Sequence, residues 1–423
     1  MQSNQRSLMV SLLVALLLWG SPAARPALGQ EQASDSTARL TIAPPEAGLY
    51  LGQHTSGPGE DIATFERSVG KKVALWSPYQ VMYGQEEVAE RDLRFDVAAA
   101  ERAWAEGYIV FAGAYEATPL HRPFTVDDLL RGKYDRDLRE LAKQFRMFGK
   151  PMLFQTAREP NSVLSSHMGG FGPDGDKGIE WALDTGRGFR DFVPSRFPNP
   201  GLYDGLGDDA VCDGIERLAA AQRYYFDFFV RREGLDFLTF ATMGWAVPLW
   251  ARDYARGSLE SACASFADFY KGLEGYADWV TINWGVSVDD GAAEPRPSYF
   301  VGRLDSVMKT VRRVARAKPV MIMELGFCGE PRLRPERIRA ALTTIVLDYP
   351  EIRGIGVWGS SYGGGSFIDC LIKPGSSDAA AFKEVMAQHP GYFRSCVRFS
   401  DGSGMPNCQE DSQSSPNAAT RFH

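Results

Sequence analysis

Histidine is scarce in this chain, five in 423 residues, and no two of them form a His-x-x-x-His pair or share a segment with clustered carboxylates. The usual spacings of a zinc hydrolase are therefore missing, and no metal is expected at the centre of the chemistry. Positive charge is also short: 46 Lys and Arg stand against 53 Asp and Glu, for a formal net charge of -7. Such a balance gives no electrostatic reason to hold a phosphate backbone, so no nucleic-acid partner is expected. The densest basic group, Arg312, Arg313, Arg316 and Lys318, has the spacing of a solvent-facing helix side. Dinucleotide binding lacks its fingerprint too. Gly52, Gly57 and Gly59 are not spaced as a phosphate turn, and Pro58 has no amide to donate. Gly359-Ser360-Ser361-Tyr362-Gly363 only superficially imitates the nucleophile elbow of a serine hydrolase. No cofactor is implied.

Long apolar runs are missing after the first thirty residues. The run from Leu8 to Trp19 is too short for a stable bilayer span; with Arg6 before it and Ala27-Leu28-Gly29 after it, residues 1–29 read as a signal peptide. The expected location is secreted or periplasmic, with no membrane insertion. Six cysteines, Cys212, Cys263, Cys328, Cys370, Cys396 and Cys408, all lie beyond that segment, where export would allow them to pair. None has zinc-site spacing. A local bridge such as Cys396 with Cys408 would tether the Gly/Ser/Asn-rich tail, but spacing leaves the connectivity open.

What is present is an alternation. Residues 30–46 read as a flexible N-terminal segment, residues 47–399 as one catalytic domain with a long loop at 168–213, and residues 400–423 as a low-complexity tail. Within the domain, eight short apolar runs begin at Leu49, Lys72, Tyr108, Pro151, Phe237, Trp279, Pro319 and Ile352. Near-continuous apolarity over four to seven residues suits strands buried on both faces. Between them, helical periodicity is clearest from Tyr134 to Phe148, and it recurs over 215–231, 259–273, 300–316 and 335–347. Strand followed by helix, about eight times over, predicts an α/β fold of the (β/α)8 TIM-barrel type. The 168–213 segment is glycine-rich and follows the fourth run; a wall over a substrate cleft is one reading, and a disordered insertion or a structural calcium site are the others.

Side chains at the C-terminal ends of barrel strands converge on one mouth. Glu159 follows the fourth run in Gln155-Thr156-Ala157-Arg158-Glu159, and Glu324 ends the seventh in Val320-Met321-Ile322-Met323-Glu324. Carboxylates placed directly after apolar runs are costly to bury unless paired or hydrogen-bonded. Two of them at one mouth suit glycosidic hydrolysis, in which one protonates the leaving oxygen and the other faces the developing oxocarbenium ion. Glu159 is read as acid/base and Glu324 as nucleophile. A carboxyl separation of about 5 Å would predict retention of configuration, and one nearer 8 Å inversion.

These segments resemble glycoside hydrolase family 26, the β-mannanase-containing family of the retaining (β/α)8-barrel clan. The run from Leu129 to Ala142 followed by Gly149-Lys150-Pro151 looks like the family's approach to strand four. There Arg158-Glu159-Pro160-Asn161-Ser162 stands where the family has His-Glu-Met-Asn-Gly. Thr281-Ile282-Asn283-Trp284-Gly285 stands in place of the sixth-strand Gly-Ile-Asp-x-Tyr, Lys318 to Gly326 is similar to the nucleophile segment, and Gly354-Ile355-Gly356-Val357-Trp358 resembles strand eight. The resemblance implies a secreted retaining enzyme, endo-acting on β-mannan or a related β-glycan, with polysaccharide or oligosaccharide as its partner. It also implies a substrate-contacting role for His121, which follows the third run, and a sugar-flooring role for Trp358.

An aromatic ring at a mouth can bury the C–H face of a sugar. Besides Trp358, the candidates are Trp284, Trp245, Trp250 and Tyr299. Among polar residues, Asn161 is placed to orient Glu159 or meet a hydroxyl, and Arg158 to hold either carboxylate in a bidentate pair. His54 and Gln53, after the first run, are further candidates. Alternatives are a catalytically inactive carbohydrate-binding barrel, and a retaining glycosidase for β-glucan, β-xylan or an unusual bacterial polysaccharide.

Overall fold

The computed structural model describes residues 39–55, 61–78, 95–113, 129–156, 213–246, 266–285, 297–359, 370–406 and 408. All eight apolar runs form strands: β1 (Leu49–Thr55), β2 (Leu75–Pro78), β3 (Ile109–Gly113), β4 (Met152–Gln155), β5 (Leu238–Phe240, continued at Trp245–Ala246), β6 (Val280–Gly285), β7 (Val320–Gly326) and β8 (Ile352–Gly359). A helix follows each in turn: α1 (Ile62–Val69), α2 (Val97–Ala105), α3 (Asp135–Phe148), α4 (Asp213–Phe226), α5 (Phe266–Tyr270), α6 (Pro297–Val314), α7 (Arg334–Asp348) and α8 (Ser377–Gln388). Every barrel pairing is parallel, in the order β5-β4-β3-β2-β1-β8-β7-β6. The ring closes through β5, whose first part pairs with β4, whose Ala241 bridges Trp279, and whose second part pairs with β6. The fold is the (β/α)8 barrel that the alternation predicts.

Helix limits follow local chemistry. α3 starts with Asp135 and Asp137, which suit the positive end of the helix dipole, and stops at Gly149, whose φ of 58° favours a residue without Cβ. Its Leu138, Leu141, Ala142, Phe145 and Phe148 all turn to the barrel. Three helices escape a periodicity reading. α1 is only eight residues long, α2 is built largely of alanine, whose small side chain marks a face weakly, and α8 is fixed as much by its Ser376 cap, which accepts from the Ala379 N–H at 3.1 Å, as by apolar spacing. α4 runs on into a π-helical turn, Asp227–Arg232, that buries Phe228 and Phe229.

Two apolar layers result. One fills the space between strands and helices; the other fills the barrel itself, with Tyr50, Leu75, Ile109, Phe111, Leu153, Trp279, Met321 and Met323 among its members. The inner layer is capped from below by Ile42, Val397, Phe399 and Met405. The segment from Arg39 to Ala43 is therefore part of the fold rather than a flexible arm, and residues 400–406 and 408 are likewise part of it rather than tail. Ile42–Ala43 pairs antiparallel with Arg398–Phe399. The Ile42 N–H donates to Thr239 Oγ1 at 2.6 Å, Trp279 Nε1 donates to the Ile42 carbonyl at 3.0 Å, and Arg39 forks onto both oxygens of Asp278 at 2.9 Å. Periodicity misses this floor because it consists of a few apolar residues whose partners come from the far end of the chain.

The disulfides Cys328–Cys370 and Cys396–Cys408 are formed; Cys212 and Cys263 lie outside the described residues. Cys396–Cys408 closes a short loop that holds Met405 in the floor. Replacing both of its cysteines by Ala is expected to cost about 2–3 kcal/mol in urea unfolding, from the loop-closure entropy restored to the unfolded chain. An unchanged midpoint would show that the floor holds without it.

Candidate active site

The strand residues that face the barrel interior follow from the period of two. On β1, Leu49 and Leu51 belong to the outer layer and Tyr50 to the inner, so Gly52 and His54 also point inward. On β7, the outer layer takes Val320 and Ile322, and the inner takes Met321 and Met323. Continued without a break, that alternation would send Glu324 outward under the helices. It does not continue. Register on β6 steps from Ile282↔Ile322 to Asn283↔Glu324, and register on β8 from Ile355↔Ile322 to Val357↔Leu325. Both neighbours see one extra residue in β7, a β-bulge at Met323. The bulge re-aims the strand so that Met323 and Glu324 both face inward and Leu325 returns to the outer layer. Gly356 on β8 makes room for it, since a Cβ there would collide with the Met323 carbonyl oxygen.

Glu324 is thereby buried at 5 % exposure in the mouth of the barrel. Its Oε1 lies 3.5 Å from His54 Nε2, and His54 Nδ1 lies 2.9 Å from Ser77 Oγ. Ser77, His54, Trp358 and Gly326 are register partners across β2, β1, β8 and β7, so they form one row around the mouth. Trp358 is half-buried, and its ring covers Gly326, where a Cβ would come within 2.9 Å of Cε3. On the opposite side Gln155 and Asn283, both buried, converge over Gly244, where a Cβ would lie 2.5 Å from Gln155 Nε2 and 3.0 Å from Asn283 Oδ1. The described mouth thus carries a carboxylate, an imidazole, two amides, a hydroxyl and one indole.

Two expected sugar-contacting rings sit elsewhere. Trp284 falls one residue after inward-facing Asn283 and packs in the outer layer, 1 % exposed. Trp245 follows inward-facing Gly244, and its indole packs on Phe269 and Phe266 with centroids 5.4 and 5.8 Å away. For both, placement after a strand suggests the mouth, but the strand's phase puts the ring under the helices. Gln53 likewise falls on the outward phase of β1. Glu159, Arg158, Asn161, His121 and Trp250 lie outside the described residues, as does the Tyr299 side chain; β4 is described to Thr156, three residues short of Glu159. The residues that sequence reasoning passed over are Ser77, Gln155 and Asn283. Their signal was available in the inward phase of β2, β4 and β6 near their C-terminal ends. Among the described residues, no group of three or more His, Cys, Asp or Glu is arranged to hold a metal ion.

Neither a protein-family model nor a curated protein sequence matches the chain. Solved structures do. GH26C from Muricauda sp. MAR_2010_75 superposes with a TM-score of 0.51 at 12 % identity, over 81 % of this chain and 86 % of that one. The chain shares the fold of a family 26 barrel. An engineered protein of the Northeast Structural Genomics Consortium has a TM-score of 0.50 at 12 % identity, over 80 % of this chain and 69 % of its own. A modular endo-β-1,4-mannanase from Cellulomonas fimi has a TM-score of 0.49 at 13 % identity, over 82 % and 71 %. In a (β/α)8 barrel the C-terminal strand ends form one mouth, and Glu324 and Trp358 both lie at it.

Proposed function

We propose that this chain is an exported retaining glycoside hydrolase that cleaves β-linked polysaccharide, with Glu324 as nucleophile and Glu159 as acid/base. The observation that carries the reading is the Met323 bulge. It turns an otherwise outward carboxylate into the barrel mouth, where burial is expensive without a task. A half-buried indole stands one strand away, and amides and a hydroxyl suited to sugar hydroxyls line the rest. The chemistry divides into two displacements. A Glu324 oxygen attacks the anomeric carbon as the bond to the leaving oxygen breaks, and Glu159 gives that oxygen its proton. Water then attacks the same carbon, loses a proton to Glu159, and releases Glu324 as carboxylate. Two disulfides support export, since such bonds persist in oxidising compartments. Among the described residues no helix is long and apolar enough to cross a membrane.

β-Mannan or a related β-glycan is the proposed substrate, endo-cleaved, on the strength of the sequence resemblance. The test is release of reducing ends from a panel of β-mannan, β-glucan and β-xylan, with the configuration of the first-formed product read by proton NMR. Turnover with the β-anomer formed first supports double displacement; the α-anomer would overturn it, and binding without turnover would favour a carbohydrate-binding barrel. Trp358→Ala is expected to weaken oligosaccharide binding about tenfold, the loss of one stacked ring face. Isothermal titration against the Glu324→Gln background would read this directly, and unchanged affinity would remove Trp358 from the binding surface.

A further inference from the structure

Among the described residues, His54 is one through which Glu324 meets the rest of the mouth. β1 and β7 are not neighbours; β8 lies between them. The 3.5 Å approach of His54 Nε2 to Glu324 Oε1 therefore crosses the inner face of β8, at side chains that are each only 6 % exposed. Glu324 rises from a bulge, where the ladder is locally interrupted, so side-chain contacts must set the direction of its carboxylate. His54 is itself fixed. It rises from an unbroken register with β2 and β8, and its Nδ1 is held at 2.9 Å by Ser77 on the adjacent strand.

The pairing also selects a proton position. If Nδ1–H donated to Ser77 and the ring were neutral, the Nε2 lone pair would face an anionic oxygen, which is repulsive. If Ser77 donates its hydroxyl proton to Nδ1, Nε2–H faces Glu324; if the ring is cationic, Nε2–H faces it as well. Every favourable state with Glu324 ionised thus presents Nε2–H to Oε1. An oxygen so held stays in place and leaves the other, Oε2, to approach the anomeric carbon, which is the preorganisation an attacking carboxylate requires.

We infer that His54, locked by Ser77, is a positioning residue that orients the Glu324 carboxylate through Nε2–H, an inference that rests on the reading of Glu324 as nucleophile. The experiment follows covalent labelling of the full chain by 2,4-dinitrophenyl 2-deoxy-2-fluoro-β-mannoside and its gluco counterpart. Intact mass gives the rate, and peptide mapping gives the site. His54→Phe fills the same space without a donor, and it is expected to slow labelling by about 10- to 100-fold, the scale of losing one preorganised donor, while the concentration for half-maximal rate moves less than about twofold. His54→Gln carries an amide N–H to roughly the position of Nε2 and is expected to recover all but about threefold of that loss. Ser77→Ala removes the hydroxyl that fixes Nδ1 and leaves the Glu324 carboxylate itself unchanged; it should slow labelling by about three- to tenfold by freeing the ring. Should His54→Phe not fold, the Gln and Ala variants carry the test alone.

Labelling of His54→Phe at the parental rate, equal slowing by Phe and Gln, or a parental rate in Ser77→Ala would each overturn the inference. A parent protein that is not labelled at Glu324 by either probe would overturn the nucleophile reading first, so the two failures are distinguishable.

Discussion

Glu324→Gln is expected to lower kcat on the responsive β-glycan by about 10³-fold or more, because an amide cannot form the glycosyl ester on which double displacement depends. The same change should leave the fold at least as stable as before. The carboxylate is 5 % exposed, and burying charge is costly relative to burying an isosteric amide. Loss of turnover together with an unchanged or raised unfolding midpoint is the signature of a group retained for chemistry. A shorter variant, Glu324→Ala, opens space beside the anomeric carbon; sodium azide added to it should restore part of the rate and give a glycosyl azide of inverted configuration. Parental kcat in Glu324→Gln would end the proposal, whatever the fold.

The alternation of apolar runs made the barrel legible, because parallel strands buried on two faces leave a continuous apolar mark and each was followed by space for a helix. Position along a strand was legible too: Glu324 and Trp358 were picked as strand-end residues, and both stand at the mouth. Phase was not. Whether a residue faces the interior depends on register, and a single bulge at Met323 reverses the face of everything after it. A straight-strand reading would place Glu324 correctly along the axis and wrongly around it. The same blindness explains Trp245 and Trp284, whose rings lie on the outer face although their neighbours Gly244 and Asn283 line the interior. The floor was invisible for another reason. Arg39 and Asp278 stand 239 residues apart, and a pairing of that span leaves no local pattern.

The buried pair Arg334–Asp378 carries the largest expected effect on stability. Arg334 opens α7 and Asp378 lies in the first turn of α8; Arg334 Nη2 and Asp378 Oδ2 are 2.7 Å apart, with side chains 9 % and 3 % exposed. Asp378→Ala would leave a guanidinium in that environment without its carboxylate, at an expected cost of about 3–5 kcal/mol. Replacing both partners, Arg334→Met with Asp378→Leu, removes the stranded charge along with the pair and should cost less than either single change, because much of the single-mutant penalty belongs to the residue left behind. A double-mutant cycle by urea unfolding reads this as a strong positive coupling. The pair also reaches toward the site: one turn along α7, Arg337 Nη1 donates to the Cys328 carbonyl at 3.3 Å, and Cys328 is bonded to Cys370 beyond β8. Loss of the pair should therefore raise susceptibility to reduction of Cys328–Cys370, read as thiol release at low dithiothreitol, while kcat per folded molecule stays within about twofold of the parent. Additive single-mutant costs would show that each charge is satisfied independently and that the two helices are held by apolar packing alone.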